Sequence, residues 1–330
     1  VQQAVVQQSE PGGYVNKFRN GTFDVWQRGK SALATSTSAP GSYTADGWQV
    51  QQTTAAGTCA QDAGTNGALY SLICVGASSN ADTIFGQPIE ASIATPLAGN
   101  TTTIQFRFKQ DTGSSVTPKI STCYASATNN FATCTSDLSP APLTACASGT
   151  WCTESYTLSV SASASQGYRV NIDCNTALSA SQHCWITAAD IRVTPGVATG
   201  LNSNPPPPEL RPIATELAFC QRYFQSTFGN GVAPGTATHT NMVMLAGVAA
   251  SGEAIAVPLF AQMMGIPAVS IWDGAGHSGD VSAYGAGTWT DSFASPLTPI
   301  AIGTSNLLYS TTTLYSAATR FMHFTASAEL

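Results

Sequence analysis

The sequence predicts an all-β protein in two parts: a larger β-sandwich, then a short helix leading into a second, smaller β domain. Three observations predict it. Between Asn20 and about Val193, short apolar runs alternate in period two between Gly, Asn, Ser and Thr clusters, the pattern of half-buried strands joined by turns. Only 9% of the 330 residues are charged and 43% are hydrophobic, while 35 Ser and 41 Thr supply a polar surface with few helix formers. Pro205 through Pro208 then interrupt the pattern with a run that cannot join a sheet.

The elements follow in order. Residues 1–19 read as an N-terminal arm or attachment segment. The first domain, residues 20–195, has its strands at Thr22–Gln27, Trp48–Gln52, Ala68–Val75, Thr102–Lys109, Lys119–Tyr124, Ser155–Val160, Tyr168–Cys174 and Trp185–Val193. In Thr102–Lys109, Ile104, Phe106 and Phe108 alternate with Gln105, Arg107 and Lys109, so one face is buried and the other wet. Residues 196–212 form a Pro-rich linker. In Ile213–Phe224, Leu217, Cys220, Tyr223 and Phe224 fall at three- and four-residue spacing, the mark of an amphipathic helix. The remainder of the 213–330 domain reads as strands at Asn241–Ala249, Ala254–Phe260, Ala268–Trp272, Pro299–Ile302 and Arg320–Ala326, joined by turns such as Asp273-Gly274 and by Gly/Ser loops.

Charge and hydropathy exclude two classes of partner. Twelve Lys+Arg against 18 Asp+Glu give a net charge of −6, and no basic run follows a phosphate backbone, so nucleic acid is not expected. No apolar stretch approaches the roughly 18 residues that span a bilayer, and the N-terminal residues lack the basic start and apolar run of a signal peptide.

Eight of the nine cysteines fall into neighbouring pairs: Cys59 with Cys74, Cys123 with Cys134, Cys146 with Cys152, and Cys174 with Cys184. None forms CxxC, and the four His are not grouped with them at zinc-site spacing. The pairs are expected to be disulfides tying hairpins or loops, in a protein that works outside a reducing cytosol. Cys220 stands apart and reads as a core residue.

Three segments carry a family resemblance. Asn20-Gly21-Thr22-Phe23-Asp24-Val25-Trp26-Gln27-Arg28-Gly29, with Tyr43-Thr44-Ala45-Asp46-Gly47-Trp48, resembles the start of the jelly-roll, carbohydrate-binding-module-like domains of bacteriophage virion proteins. The segment Glu209 to Phe224 is similar to the one that follows this module in phage tail-fibre and related structural proteins. The ending His323 to Leu330 resembles the C-terminus of that family. The resemblance implies a jelly-roll β-sandwich followed by a short helix and a second smaller β-sandwich domain. It further implies a location on the virion surface, a homotrimer contacting other virion proteins, and bacterial surface polysaccharide as ligand. Modules of this kind hold a structural Ca²⁺ near the strand that carries Asp24, which makes Asp24 a metal candidate; no other cofactor is expected. The paired cysteines depart from the family's general pattern and suggest covalent toughening of the particle.

Catalytic chemistry finds little support in the sequence. Gly276-His277-Ser278-Gly279 misses the GxSxG spacing of a nucleophile elbow, and Asp273, Asp280 and Asp291 sit among glycines as turn formers do. A sugar site needs flat aromatic faces beside hydrogen-bonding groups. Trp26 and Trp48 lie on expected strands and are assigned to packing. Trp272, Tyr284 and Trp289, accompanied by Asp273, His277, Asp280 and Asp291, lie in expected Gly-rich loops and are the candidates for glycan or inter-subunit contact. The sequence therefore favours a non-enzymatic virion fibre or decoration protein that adheres to bacterial glycan. A cementing protein without receptor binding and a polysaccharide depolymerase are the alternatives.

Overall fold

The computed structural model describes residues 13–77, 80–245, 254–294, 297–311 and 319–330. Most of the segment Val1–Val15, expected as an attachment arm, and residues 246–249 of an expected strand lie outside the described residues. The chain forms two compact units. The first comprises residues 1–24, 31–212 and 330, and the second residues 25–30 and 213–329.

The first unit is a sandwich of two antiparallel sheets. In chain order its strands are β1 (Leu33–Ala34), β2 (Ser42–Tyr43), β3 (Gln49–Thr53), β4 (Thr58–Ala63), β5 (Tyr70–Val75) and β6 (Asp82–Ile89). After the one-turn helix α1 (Ala91–Ala94) come β7 (Thr101–Gln110), β8 (Lys119–Ala127), β9 (Asn130–Pro142), β10 (Cys152–Ser159), β11 (Tyr168–Asp173), β12 (His183–Val193) and β13 (Gly200–Leu201). One sheet has the order β1-β4-β5-β12-β7-β10-β13, the other β2-β3-β6-β11-β8-β9. Each sheet mixes strands distant in sequence, as a jelly roll requires.

Alternation decides which residues fill the space between the sheets. Ile104, Phe106 and Phe108 of β7 are buried, as the sequence predicts, and are joined by Ile186 and Ile191 of β12, and by Phe85, Val170 and Ile172 of the facing sheet. Trp48 is fully buried, and Phe18 and Phe23 lie against it at 5.3 and 5.2 Å between ring centroids; Trp26, in the second unit's residues 25–30, is fully buried too.

All four expected cysteine pairs are disulfide-bonded, and Cys220 is buried outside any disulfide. Cys59 and Cys74 face each other across β4 and β5, and Cys123–Cys134 ties β8 to β9. Cys146–Cys152 closes the turn before β10. Cys174 follows β11 of one sheet and Cys184 begins β12 of the other, so their bond joins the two layers.

Three expectations are corrected. Thr22–Gln27 is not a strand: Asn20 and Phe23 adopt left-handed backbone (φ 51° and 56°), which breaks any ladder, and Val25–Lys30 belongs to the second unit. Residues 14–19 are no free arm, because Asn16 and Phe18 are buried and Asn16 bonds Ile191 N and Ala189 O. The Pro-rich residues 196–212 belong to the first unit. Proline keeps its carbonyl although it lacks an N–H, so Pro206 O accepts from Gln105 Nε2 and Pro207 O from Arg192 Nη2.

The second unit begins with the expected helix, α2 (Ile213–Gln221), whose buried residues are Glu216 and Cys220. Leu217 is only half-buried. Its strands are β14 (Phe224–Ser226), β15 (Val243–Leu245), β16 (Ala254–Pro258), β17 (Ala268–Trp272), β18 (Asp280–Gly285), β19 (Thr288–Ala294), β20 (Leu297–Ile302), β21 (Asn306–Thr311) and β22 (Thr319–Ser327). β22 is central: β14 and β15, and β17 and β18, pair with it, and β19 extends the sheet from β18. A three-stranded sheet, β16-β21-β20, forms the second layer. Met322, Phe324 and Ala326 of β22 pack with Leu245, Val281, Val257, Leu307 and Tyr309 into the core of this unit. No helix among the described residues is long and apolar enough to cross a membrane.

Candidate functional site

The period of two along β22 gives its sheet a second face, away from the core. Phe321 and His323 alternate with the core residues, and the register places Ser282 of β18 and Met244 of β15 opposite Phe321, and Trp272 of β17 opposite His323. Tyr284 pairs with Trp289 across β18 and β19. Residues expected in separate loops thus meet on one sheet face. The correction is physical: Tyr284 and Trp289 flank the turn of a β-hairpin, where cross-strand contacts hold aromatic rings side by side.

The aromatic residues divide into two groups. Trp289 and Tyr284 lie 4.9 Å apart and remain 37% and 41% exposed. Trp289 also stacks on His239 at 4.2 Å and meets Phe321 edge-on at 4.9 Å. Trp272 is half-buried against Phe228, which in turn stacks on His323 at 4.0 Å. Trp272 therefore packs the sheet, and Trp289 and Tyr284 present the accessible rings.

Two polar networks frame them. Asp291 Oδ1 accepts from Ser282 Oγ at 2.6 Å and pairs with His239 Nε2 at 3.1 Å, while Gly274 N donates to Ser282 Oγ at 2.7 Å. Gly274 is required here, since a Cβ on it would stand 2.3 Å from the His239 ring. In the second network the buried Asp273 carboxylate accepts from Ala275 N (3.0 Å) and His277 N (2.7 Å) at Oδ1, and from His277 Nδ1 (2.8 Å) and Ser292 N (2.7 Å) at Oδ2. Ser292 reaches this position at a bulge of the β18–β19 ladder, with φ 66°.

Electrostatics follow from these contacts. Burial pushes Asp273 up, but the His277 side-chain and backbone bonds and Ser292 N outweigh it and hold the carboxyl below its ordinary value. The hydrogen bond to Asp273 and its charge raise His277, with further help from Asp280 and Asp291. His323 is lowered by burial; Nε2 donates to Thr238 O at 3.0 Å, which leaves Nδ1 to accept from Thr227 Oγ1 at 2.9 Å.

The arrangement holds and orients; it does not build a nucleophilic relay. Such a relay places the acid and the hydroxyl on opposite ring nitrogens, whereas Asp273 Oδ2 and Ser292 Oγ both lie at His277 Nδ1, 2.8 and 3.0 Å away. Asp273, His277 and Asp280 offer ligand atoms within 4.8 Å of one another, a spacing compatible with a cation. The four donors already on Asp273 use its lone pairs, so this carboxylate positions His277 and is poorly placed to coordinate an ion. In the first unit, Asp24 is buried and raised by that burial, and accepts from Thr22 Oγ1. It lies outside any metal-spaced group of three His, Cys, Asp or Glu among the described residues.

His239, Ser282, Ser292, Phe321 and His323 complete the site, and sequence reading missed all five. Only the even-numbered spacing of Ser282 and Tyr284 hinted that these residues share a strand face.

No protein-family model and no curated protein matches the chain. Among solved structures, the enzymatically active domain of bacteriophage CBA120 tailspike protein 4 is 14% identical, with a TM-score of 0.38, covering 55% of this chain and 22% of that one. The CBM22-1 xylan-binding domain of Paenibacillus barcinonensis Xyn10C is 13% identical, with a TM-score of 0.34, covering 52% of this chain and 99% of that one. TmCBM61, solved with β-1,4-galactotriose, is 12% identical with a TM-score of 0.33, covering 55% of this chain and all of that one.

Proposed function

We propose that this chain is a non-enzymatic virion surface protein, a fibre or decoration, that adheres to bacterial surface polysaccharide through the outward face of the β22 sheet. One observation carries the proposal: Trp289 and Tyr284 stand adjacent and exposed beside Asp291 and His239, whose orientations are fixed by Ser282 and Gly274. Exposed rings offer the apolar surface that pyranose C–H groups cover, and preset polar groups bind hydroxyls at low ordering cost. The resemblance of Asn20–Trp48, Glu209–Phe224 and His323–Leu330 to phage virion proteins supports the setting, and a homotrimer would multiply weak single-site contacts by avidity.

Cell adsorption tests it. The chain should coat host cells, and Trp289→Ala and Tyr284→Ala should each reduce adsorption at least tenfold while the secondary-structure spectrum stays unchanged. Undiminished adsorption by both variants rejects the site. Release of reducing ends from host capsule would instead establish depolymerase activity.

A cementing role is the second reading, and it rests on Met244, Phe260 and Ile266 of the second unit, which are 56%, 53% and 73% exposed. Imaging of the particle with these residues against a neighbouring subunit would decide for it.

A further inference from the structure

We infer that the Trp289–Tyr284 face selects glycans bearing a free amino group over neutral ones, and excludes uronate- or phosphate-rich polysaccharides. The inference rests on the adhesive reading above and adds the chemistry of the ligand.

The aromatic pair sets the location, and the charges around it set the selectivity. Asp291 borders Trp289 through their shared neighbour His239, and its partners are Ser282 Oγ and His239 Nε2, neither a fixed positive charge. Its side chain is 22% exposed, so a ligand can reach the carboxylate. Asp280, at the start of β18, is half-buried, and its charge acts on His277. Among the described residues, neither carboxylate has a Lys or Arg partner. The cation against these carboxylates is the His277 imidazole, whose protonated form Asp273, Asp280 and Asp291 favour.

Asp291 therefore sets a negative charge beside the rings, and Asp280 adds a second one farther along β18. An ammonium group there gains twice, from the carboxylates and from the electron-rich ring faces. A uronate or phosphate loses on both counts, and no Arg fork among the site residues receives it. Asp291 is held before the ligand arrives, so its attraction is not spent on ordering a loose side chain.

The test compares three oligosaccharides of equal length by calorimetry at fixed pH and low salt: a fully deacetylated glucosamine tetramer, its N-acetylated counterpart and a galacturonate tetramer. The expected order is the amine first, by at least tenfold over the acetylated sugar, with the acidic sugar last. Asp280→Asn and Asp291→Asn should each bring the ratio of amine to acetylated affinity toward one, and 0.5 M salt should do the same. Asp280→Asn is the cleaner variant because, among the described residues, the Asp280 side chain holds no hydrogen bond, whereas Asp291 holds Ser282 and His239. Equal or tighter binding of the acidic sugar overturns the inference, as does a ratio unchanged in Asp280→Asn. If the three sugars bind equally through Trp289, selectivity fails while adhesion stands. If none binds although Trp289 is needed for cell adsorption, the amino-sugar assignment is wrong. If Trp289→Ala leaves adsorption intact, the adhesive reading itself falls.

Discussion

Glu154 offers a quantitative test of the first unit's packing. Alternation along β10 places it opposite Phe106, on the core side of its sheet, where its side chain is fully buried. Oε2 accepts from Thr144 N at 2.9 Å, and Oε1 has no hydrogen-bond partner among the described residues. Burial pushes the carboxyl up from 4.5 to about 7, against the smaller lowering effect of Thr144 N. The folded state therefore favours the protonated form. As pH rises above about 4.5 the unfolded chain ionises first, and stability falls until the folded carboxyl also ionises near 7. At about 1.4 kcal/mol per pH unit the full penalty is about 3 kcal/mol, of which about 2.5 kcal/mol develops between pH 5 and pH 8.

Glu154→Gln retains an acceptor for Thr144 N and removes the titration. Urea unfolding of both proteins at pH 5 and pH 8 should show the variant gaining about 2.5 kcal/mol relative to the parent between the two conditions. Asp82, raised to about 7 by burial and by the neighbouring Asp173, produces a slope of the same sign in both proteins, so the difference isolates Glu154. A difference between parent and variant that does not change with pH would refute the placement of this carboxyl in the apolar layer.

Two more predictions concern the cross-link and the site. Replacing Cys174 and Cys184 together by Ala opens a loop of sequence separation 10 that joins the two sheets, and chain entropy sets the loss at about 2.7 kcal/mol, measurable as a lower urea midpoint; a loss below about 0.5 kcal/mol would show that the bond constrains little. The His277–Asp273 pair should be tightest between the acid range, where Asp273 loses its charge, and the pH above 6.5 at which His277 loses its proton. An NMR titration should put His277 above 6.5 in the parent, and Asp273→Asn should bring it down; an unmoved midpoint would remove the coupling.

The strands legible in the sequence were those with a clean contrast between faces. Ile104, Phe106 and Phe108 announce β7 because they alternate with polar residues, although on the other face Thr103 and Gln105 are buried as well, Gln105 against Pro206. β18 and β19 escaped because Gly279, Gly285 and Gly287 crowd them and look like loop, although Gly285 lies within β18 and Gly287 forms the turn that pairs the two strands. Thr22–Gln27 misled in the opposite sense: its alternation is that of a strand, but the left-handed Phe23 inside it, following the left-handed Asn20, cancels it.

The sequence by itself determined the all-β class, the eight-cysteine framework and the helix near Ile213, because each depends on composition or on residues a few positions apart. Only the tertiary structure decided which aromatic residues stay accessible and which carboxylates are already engaged. Trp272 and Trp289 look alike in the sequence. Phe228 and His323, far away along the chain, pack around the first, while the β18–β19 hairpin holds the second at the surface. Exposure of a side chain depends on what long-range strand pairing brings against it, and no local pattern carries that information.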